Sequence, residues 1–263
     1  MKNEVFNGSR FWNWFKYDTI QLWRNHMFAA LGIGLAGLIS YIVTVCFNLI
    51  VHGQWQGIGN DGRLFILIFA CIALELYQTS TYGYLTKKQK GSAWLMAPAS
   101  KLEKWTSMLI NTLIVIPVLF LVVFLGVDWL LCLVDHTCGT SIISMVAGGY
   151  GKLSAEIAAG SINITMGAIW WFLIACACLN FLYFLLCGIV FKKHKVIWGI
   201  AVAMVASSIF AFIAGTSGDN SNLNIMVNND NARAAMDWFS AGSTAIALCL
   251  ATAIYYRIKT IKH

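Results

Sequence analysis

A chain of 263 residues that is 59% hydrophobic and only 11% charged cannot cover a water-facing surface, because soluble domains carry about 25% charged residues. Its mean hydropathy is +0.71, and its two prolines leave room for long unbroken helices. The net charge of +7 does not point to nucleic acid: no basic run is interleaved with aromatics as a nucleic-acid groove requires, and a membrane protein becomes basic by collecting Lys and Arg in its cytoplasmic loops. The expected fold class is an all-α integral membrane protein.

Residues 1–27 hold Arg10, Lys16, Asp18 and Arg24 among aromatics, so they lack the apolar core and cleavage site of a signal peptide. On a helical wheel, Phe11, Trp12, Phe15, Leu22 and Trp23 share a face, opposite Arg10, Asn13, Gln21, Arg24 and Asn25. The segment reads as an amphipathic helix lying in the membrane interface, with Phe11, Trp12, Phe15 and Trp23 as anchors. A soluble cap helix is the alternative.

A membrane span takes about 20 mostly apolar residues. Segments 28–51, 64–84, 105–134, 166–191, 196–215 and 238–256 meet that length or come close. Two domains follow: the interfacial helix, 1–27, and a six-helix transmembrane domain, 28–263. With six spans, 15 of the 18 basic residues fall on the side of the two termini, leaving Arg63, Lys152 and Arg233 on the other. Positive charge marks the cytoplasmic side, so both ends are expected inside.

The first span is rich in small residues, from Ala29 to Gly37, which permit close helix approach. In the second, Glu75 is an acid near mid-membrane, where charge is costly and therefore a functional candidate. It would bind a cation, relay a proton or form a salt bridge; alternatively it is protonated and bonded to Gln78, Asn111 or Asn180. Pro117 should kink the third span. Segments 135–165 and 216–237 read as loops on the far side, the first rich in small residues and the second in Asn. Cys132 and Cys138 either pair in an oxidising compartment or stay free thiols. No CxxC spacing, HExxH or nucleophile signature occurs, and Leu153 after Lys152 spoils a phosphate loop at 148–154. No enzyme activity, metal or cofactor is therefore expected in this chain.

The most patterned stretch is KGSAWLMAPASKLEKW, residues 90–105. Trp94, Leu95 and Met96 make an apolar knob, Pro98 ends the turn, and Ser100 with Glu103 has the spacing of a capping box for the helix that follows. It reads either as a docking surface for a soluble partner or as a structured helix hairpin.

This loop resembles one found between the second and third spans of ABC-2-type ATP-binding-cassette transporter membrane subunits, where a Leu-x-x-Pro-x-Ser-x-x-Glu style pattern occurs. Leu95, Pro98, Ser100 and Glu103 fit that spacing. The likeness covers about 16 residues in motif and the whole chain in layout. It implies a coupling helix seated on a separate cytoplasmic ATPase that holds ATP and magnesium, docked through Lys87, Lys88, Lys90, Trp94, Leu95, Pro98, Ser100, Lys101 and Glu103. It further implies a homodimer or a related membrane subunit as partner, in a bacterial inner membrane. Members often carry re-entrant helices between spans five and six, for which the Asn-rich 216–237 segment has little apolar content. The expected function is export of a small amphipathic or lipid-like substrate, with Glu75, Asn111 and Asn180 as intramembrane polar residues. A non-transporting scaffold or accessory subunit, and an ion-coupled carrier working through Glu75, are the alternatives.

Overall fold

The structure is a computed structural model that describes residues 6–86, 94, 96–158, 165–191, 193–216 and 229–260, with side chains described except at 27, 206–216 and 229–236. The helices among these residues are α1 (Gly8–Gly34), α2 (Ala36–His52), α3 (Asn60–Thr81), α4 (Lys101–Ile110), α5 (Ile116–Val134), α6 (Ile142–Ala158), α7 (Met166–Val190), α8 (Lys195–Thr216) and α9 (Asn229–Thr260). A π-helical segment, Asn111–Val115, joins α4 to α5, and short 3₁₀ turns follow α3 and α5. No strand occurs among the described residues.

Four runs are long and apolar enough to cross a membrane: Asn60–Leu85, Lys101–Val134, Met166–Val190 and Asp237–Thr260. A fifth is formed if Phe28–Gly34 and Ala36–His52 act together, although they bend by 58°. The chain is thus a helical, multi-pass membrane protein with four or five such elements among its described residues. Of α8, Lys195–Val205 counts only as a shorter apolar helix.

Within the expected span 28–51 the helix breaks at Leu35. Leu35 departs from helical geometry, with φ −87° and ψ 6°, between Gly34 and Gly37. A Cβ on Gly34 would lie 3.0 Å from the Val123 side chain, so the missing side chain is what lets α5 press against the break. The helix expected to lie in the interface and end at residue 27 has no boundary there; α1 runs unbroken to Gly34. Segment 135–165, expected to be a loop, contains α6, whose glycines Gly148, Gly149 and Gly151 have open space around them.

Pro117 acts through its neighbours. Its ring would clash with the carbonyl of Leu113, four residues back. The backbone widens there into the π turn, where the Ile116 N–H bonds the Asn111 carbonyl, so Lys101–Val134 continues as one element.

Helix α7 is central, packed against α3 and α9. It meets α3 backbone to backbone: a Cβ on Gly188 would fall 2.3 Å from the Thr79 carbonyl oxygen. Trp105 ties α4 to α9, donating to the Ala251 carbonyl at 3.0 Å and meeting Tyr255 edge to face. One apolar cluster, including Trp14, Tyr82, Trp94, Met108, Leu185 and Ile254, lies at the α1 N-terminal end. A second, around Leu74, Phe120, Phe124 and Ile142, lies toward the opposite end.

At that opposite end Arg63 is buried, and both of its terminal nitrogens are bonded while its Nε has no partner among the described residues. Its guanidinium pairs with Asp128 at 2.8 Å and donates to Asn60 Oδ1, Cys132 Sγ and the carbonyls of Cys138 and Thr140. Asp128 also accepts from the Ile142 N–H, which starts α6. Asp135 accepts from Tyr41, Trp55 and Thr137. Its pKa balances burial, which pushes it up, against these bonds, which prevail and hold it at about 2. Cys132 and Cys138 are free thiols.

Candidate functional site

The 94–111 region and α1 form one unit, and its centre is a residue the sequence pattern did not mark. Asp18 is 1% exposed. Its carboxylate accepts from Tyr82 Oη and Ser107 Oγ, both at 2.8 Å, from Asn111 Nδ2 at 3.3 Å and from Trp94 Nε1 at 3.4 Å. Four donors from three separate stretches of chain thus converge on one acid. Burial raises its pKa and the donors oppose that rise. Asn111 also accepts from Thr19 at 2.9 Å, fixing the amide orientation.

Trp94 is held from both sides. Its indole N–H points to Asp18, and its carbonyl accepts from Lys104 Nζ at 2.9 Å. The Lys104 ammonium lies over the rings of Trp14 and Trp94, 5.4 and 5.3 Å from their centroids. Trp14 and Trp94 themselves pack edge to face at 5.9 Å. Such a cation–π arrangement compensates a buried cation for part of its lost hydration.

The capping box forms as its spacing required. Ser100 Oγ accepts from the Glu103 N–H, and the Glu103 carboxylate in turn accepts from the Ser100 N–H. The same carboxylate reaches α1: Arg10 donates to it from Nε and from its terminal nitrogen, the latter at 2.7 Å, and the Asn7 N–H donates at 2.8 Å. Glu103 is therefore the common anchor of two helix starts, since Asn7 is itself the N-cap of α1.

These contacts sort the expected docking residues. Trp94, Ser100 and Glu103 face inward and shape the loop, so Trp94 does not belong to an outward knob. Met96, Pro98 and Lys101 are exposed, Met96 by 83%. Lys87, Lys88, Lys90 and Leu95 lie outside the described residues. A groove of about 780 Å³ separates the start of α1 from the loop, walled by Asn13 and Tyr17 on one side and Met96 and Pro98 on the other.

The intramembrane polar residues do not form one site. Asn180 Nδ2 donates to Glu75 Oε1 at 3.4 Å, joining α3 to α7, whereas Asn111 belongs to the Asp18 network. Gln78 is fully buried, and neither of its amide atoms has a partner among the described residues. The anchors divide too: Trp12 and Trp23 are exposed, while Phe11 and Phe15 are half-buried. The packed stripe of α1 is Trp14, Asp18 and Leu22, one helical turn apart each, so the aromatic face is shared between the protein and its surroundings.

A second cavity, of about 360 Å³, lies between α1, α3 and the π turn with α5; its walls are almost wholly carbon, and Asn111 and Thr19 mark where it borders the Asp18 network. No group of three or more His, Cys, Asp or Glu that could hold a metal occurs among the described residues. The chain matches no family model, no curated protein and no solved structure.

Proposed function

We propose that this chain is the permease subunit of an ABC-2-like exporter. It crosses a bacterial inner membrane six times with both ends in the cytoplasm, pairs with a second copy, and moves a small amphipathic or lipid-like molecule. Energy comes from a separate cytoplasmic ATPase that binds ATP and magnesium. The observation that carries the reading is the fusion of the 94–103 loop with α1 through Glu103–Arg10 and Trp94–Asp18. A load applied by a soluble partner to the exposed Met96, Pro98 and Lys101 would reach both the interfacial helix and, through α4, the membrane-spanning run that ends at Val134.

The test is purification from native membranes in mild detergent, with ATP hydrolysis measured in the eluate. Wild-type protein should carry a co-eluting ATPase, and the surface variant Met96→Asp with Lys101→Glu should lose at least nine-tenths of it while keeping its elution profile. If wild-type protein brings down no ATP hydrolysis, the permease reading fails and a non-transporting scaffold replaces it. The Glu75–Asn180 contact supports a structural role for that acid; transport that runs without ATP and stops in Glu75→Gln would instead establish an ion-coupled carrier.

A further inference from the structure

The carbon-lined cavity has the shape of a slot. Helix α1 walls it from Thr19 to Leu31, and the π turn with α5 walls it from Asn111 to Val123. Each wall covers 13 residues, and the 12 steps between its ends, at 1.5 Å each, make about 18 Å. One leaflet of a bilayer holds about 15 Å of hydrocarbon. The slot is therefore about as long as a single lipid chain, and its volume of about 360 Å³ sits at the small end of ligand pockets, which begin at about 300 Å³.

Its rim says where an occupant comes from. Ile20 and Trp23 of α1 and Leu119 of α5 line the slot and are also exposed. They continue into exposed Phe28 on α1 and Val118 and Val122 on α5. That surface belongs against bilayer hydrocarbon, so the slot opens sideways into lipid. Inside, the polar side chains are mostly occupied. Thr19 donates to Asn111, Tyr77 to the His26 carbonyl, and Thr81 to the Tyr77 carbonyl. The exceptions are the His26 imidazole and the Trp23 indole N–H, which have no hydrogen-bond partner among the described residues. Indole nitrogens at the membrane boundary characteristically meet the ester and headgroup layer.

We propose that this slot binds one hydrocarbon chain of a bilayer glycerolipid, as a resident lipid that fills the space between α1 and the π turn. This does not depend on the permease reading, since it requires neither an ATPase nor transport.

The test is reconstitution of the full chain into vesicles of palmitoyl-oleoyl phosphatidylcholine and phosphatidylglycerol, with a trace of phosphatidylcholine carrying a diazirine in its acyl chain. After illumination, labelled residues are mapped by mass spectrometry. Labels should concentrate on both walls, within 19–31 and 111–123, above the level at exposed Ile39, Ile42 and Val43 of α2. Ala30→Trp, which fills the slot, should reduce the wall labels at least fivefold and leave the α2 labels unchanged. Wall labels no stronger than those on α2, or unchanged in Ala30→Trp, would overturn the proposal. Should Ala30→Trp alter the α2 labels as well, native mass spectrometry of wild-type protein decides: one retained lipid per chain supports the slot, and bare protein refutes it.

Discussion

Arg10 and Glu103 stand 93 residues apart in sequence and 2.7 Å apart in space, and Glu103 also closes the capping box that begins α4. One carboxylate thus fixes the start of the membrane-spanning run and the start of α1. Reversing the charge in Arg10→Glu sets two carboxylates against each other but leaves the Ser100 cap intact. Amide exchange over residues 8–18, followed by deuterium uptake in detergent, should rise at least tenfold, with α4 amides little changed. Ser100→Ala acts on the other side of the joint and should cost about 1 kcal/mol of stability through the lost cap.

Arg63→Ala should be among the most damaging single changes. It leaves Asp128 buried without its cation, and breaking a buried pair costs about 3 kcal/mol or more. The melting temperature of the purified protein should fall markedly. Replacing both members, Arg63→Leu with Asp128→Leu, should recover most of that loss; a double variant as unstable as the single one would show that the loop carbonyls on Arg63, rather than the pair, carry the effect.

Gly188 and Gly242 offer a matched comparison on neighbouring helices. A methyl at Gly188 meets the Thr79 carbonyl, and α3 and α7 must separate, at about 2 kcal/mol. A methyl at Gly242 meets nothing within 4 Å, so Gly242→Ala should be neutral or stabilising by about 0.8 kcal/mol through helix propensity. Thermal unfolding of the two alanine variants side by side checks both signs.

Acid should loosen the end of the bundle that holds Asp135. Its pKa of about 2 in the folded chain is below the value of about 3.9 for a free aspartate. The stability it contributes is therefore complete above about pH 4 and is lost as the pH falls through its folded value. Melting temperatures recorded from pH 6 to pH 2 should drop more steeply for wild type than for Asp135→Asn. Tyr41→Phe, which removes the 2.6 Å donor, should move the wild-type drop to higher pH.

The long apolar helices and the capping box were legible because each depends on local chemistry: twenty apolar residues, or a Ser and a Glu three positions apart. Asp18 was not, because a single charged residue in a mixed amphipathic segment looks like part of its polar face. Its role comes from Tyr82, Trp94, Ser107 and Asn111, whose convergence is a property of the packed chain. The signal that existed was spacing: Trp14, Asp18 and Leu22 lie one turn apart, placing the acid in the middle of an apolar stripe, where only a buried partner set would tolerate it. Trp94 was misplaced for a related reason. An apolar residue in a loop between two apolar helices reads equally well as a knob or as a plug, and only Asp18 and Lys104 distinguish the two. The 58° bend at Leu35 needed knowledge of which helix presses on Gly34, and α6 was obscured by glycines that seldom sit within a helix.

The wide turn before Pro117 has one more consequence. Asn111 is both the first residue of that turn and a donor to Asp18. Sliding the turn by one residue rotates a side chain by about 100° around the helix axis, which would swing the Asn111 amide away from Asp18 and Thr19 together. The register of that turn and the middle of α1 are thus coupled through one amide: a slip would remove the Asn111 contacts to Asp18 and Thr19 while Glu103 still held the start of α1.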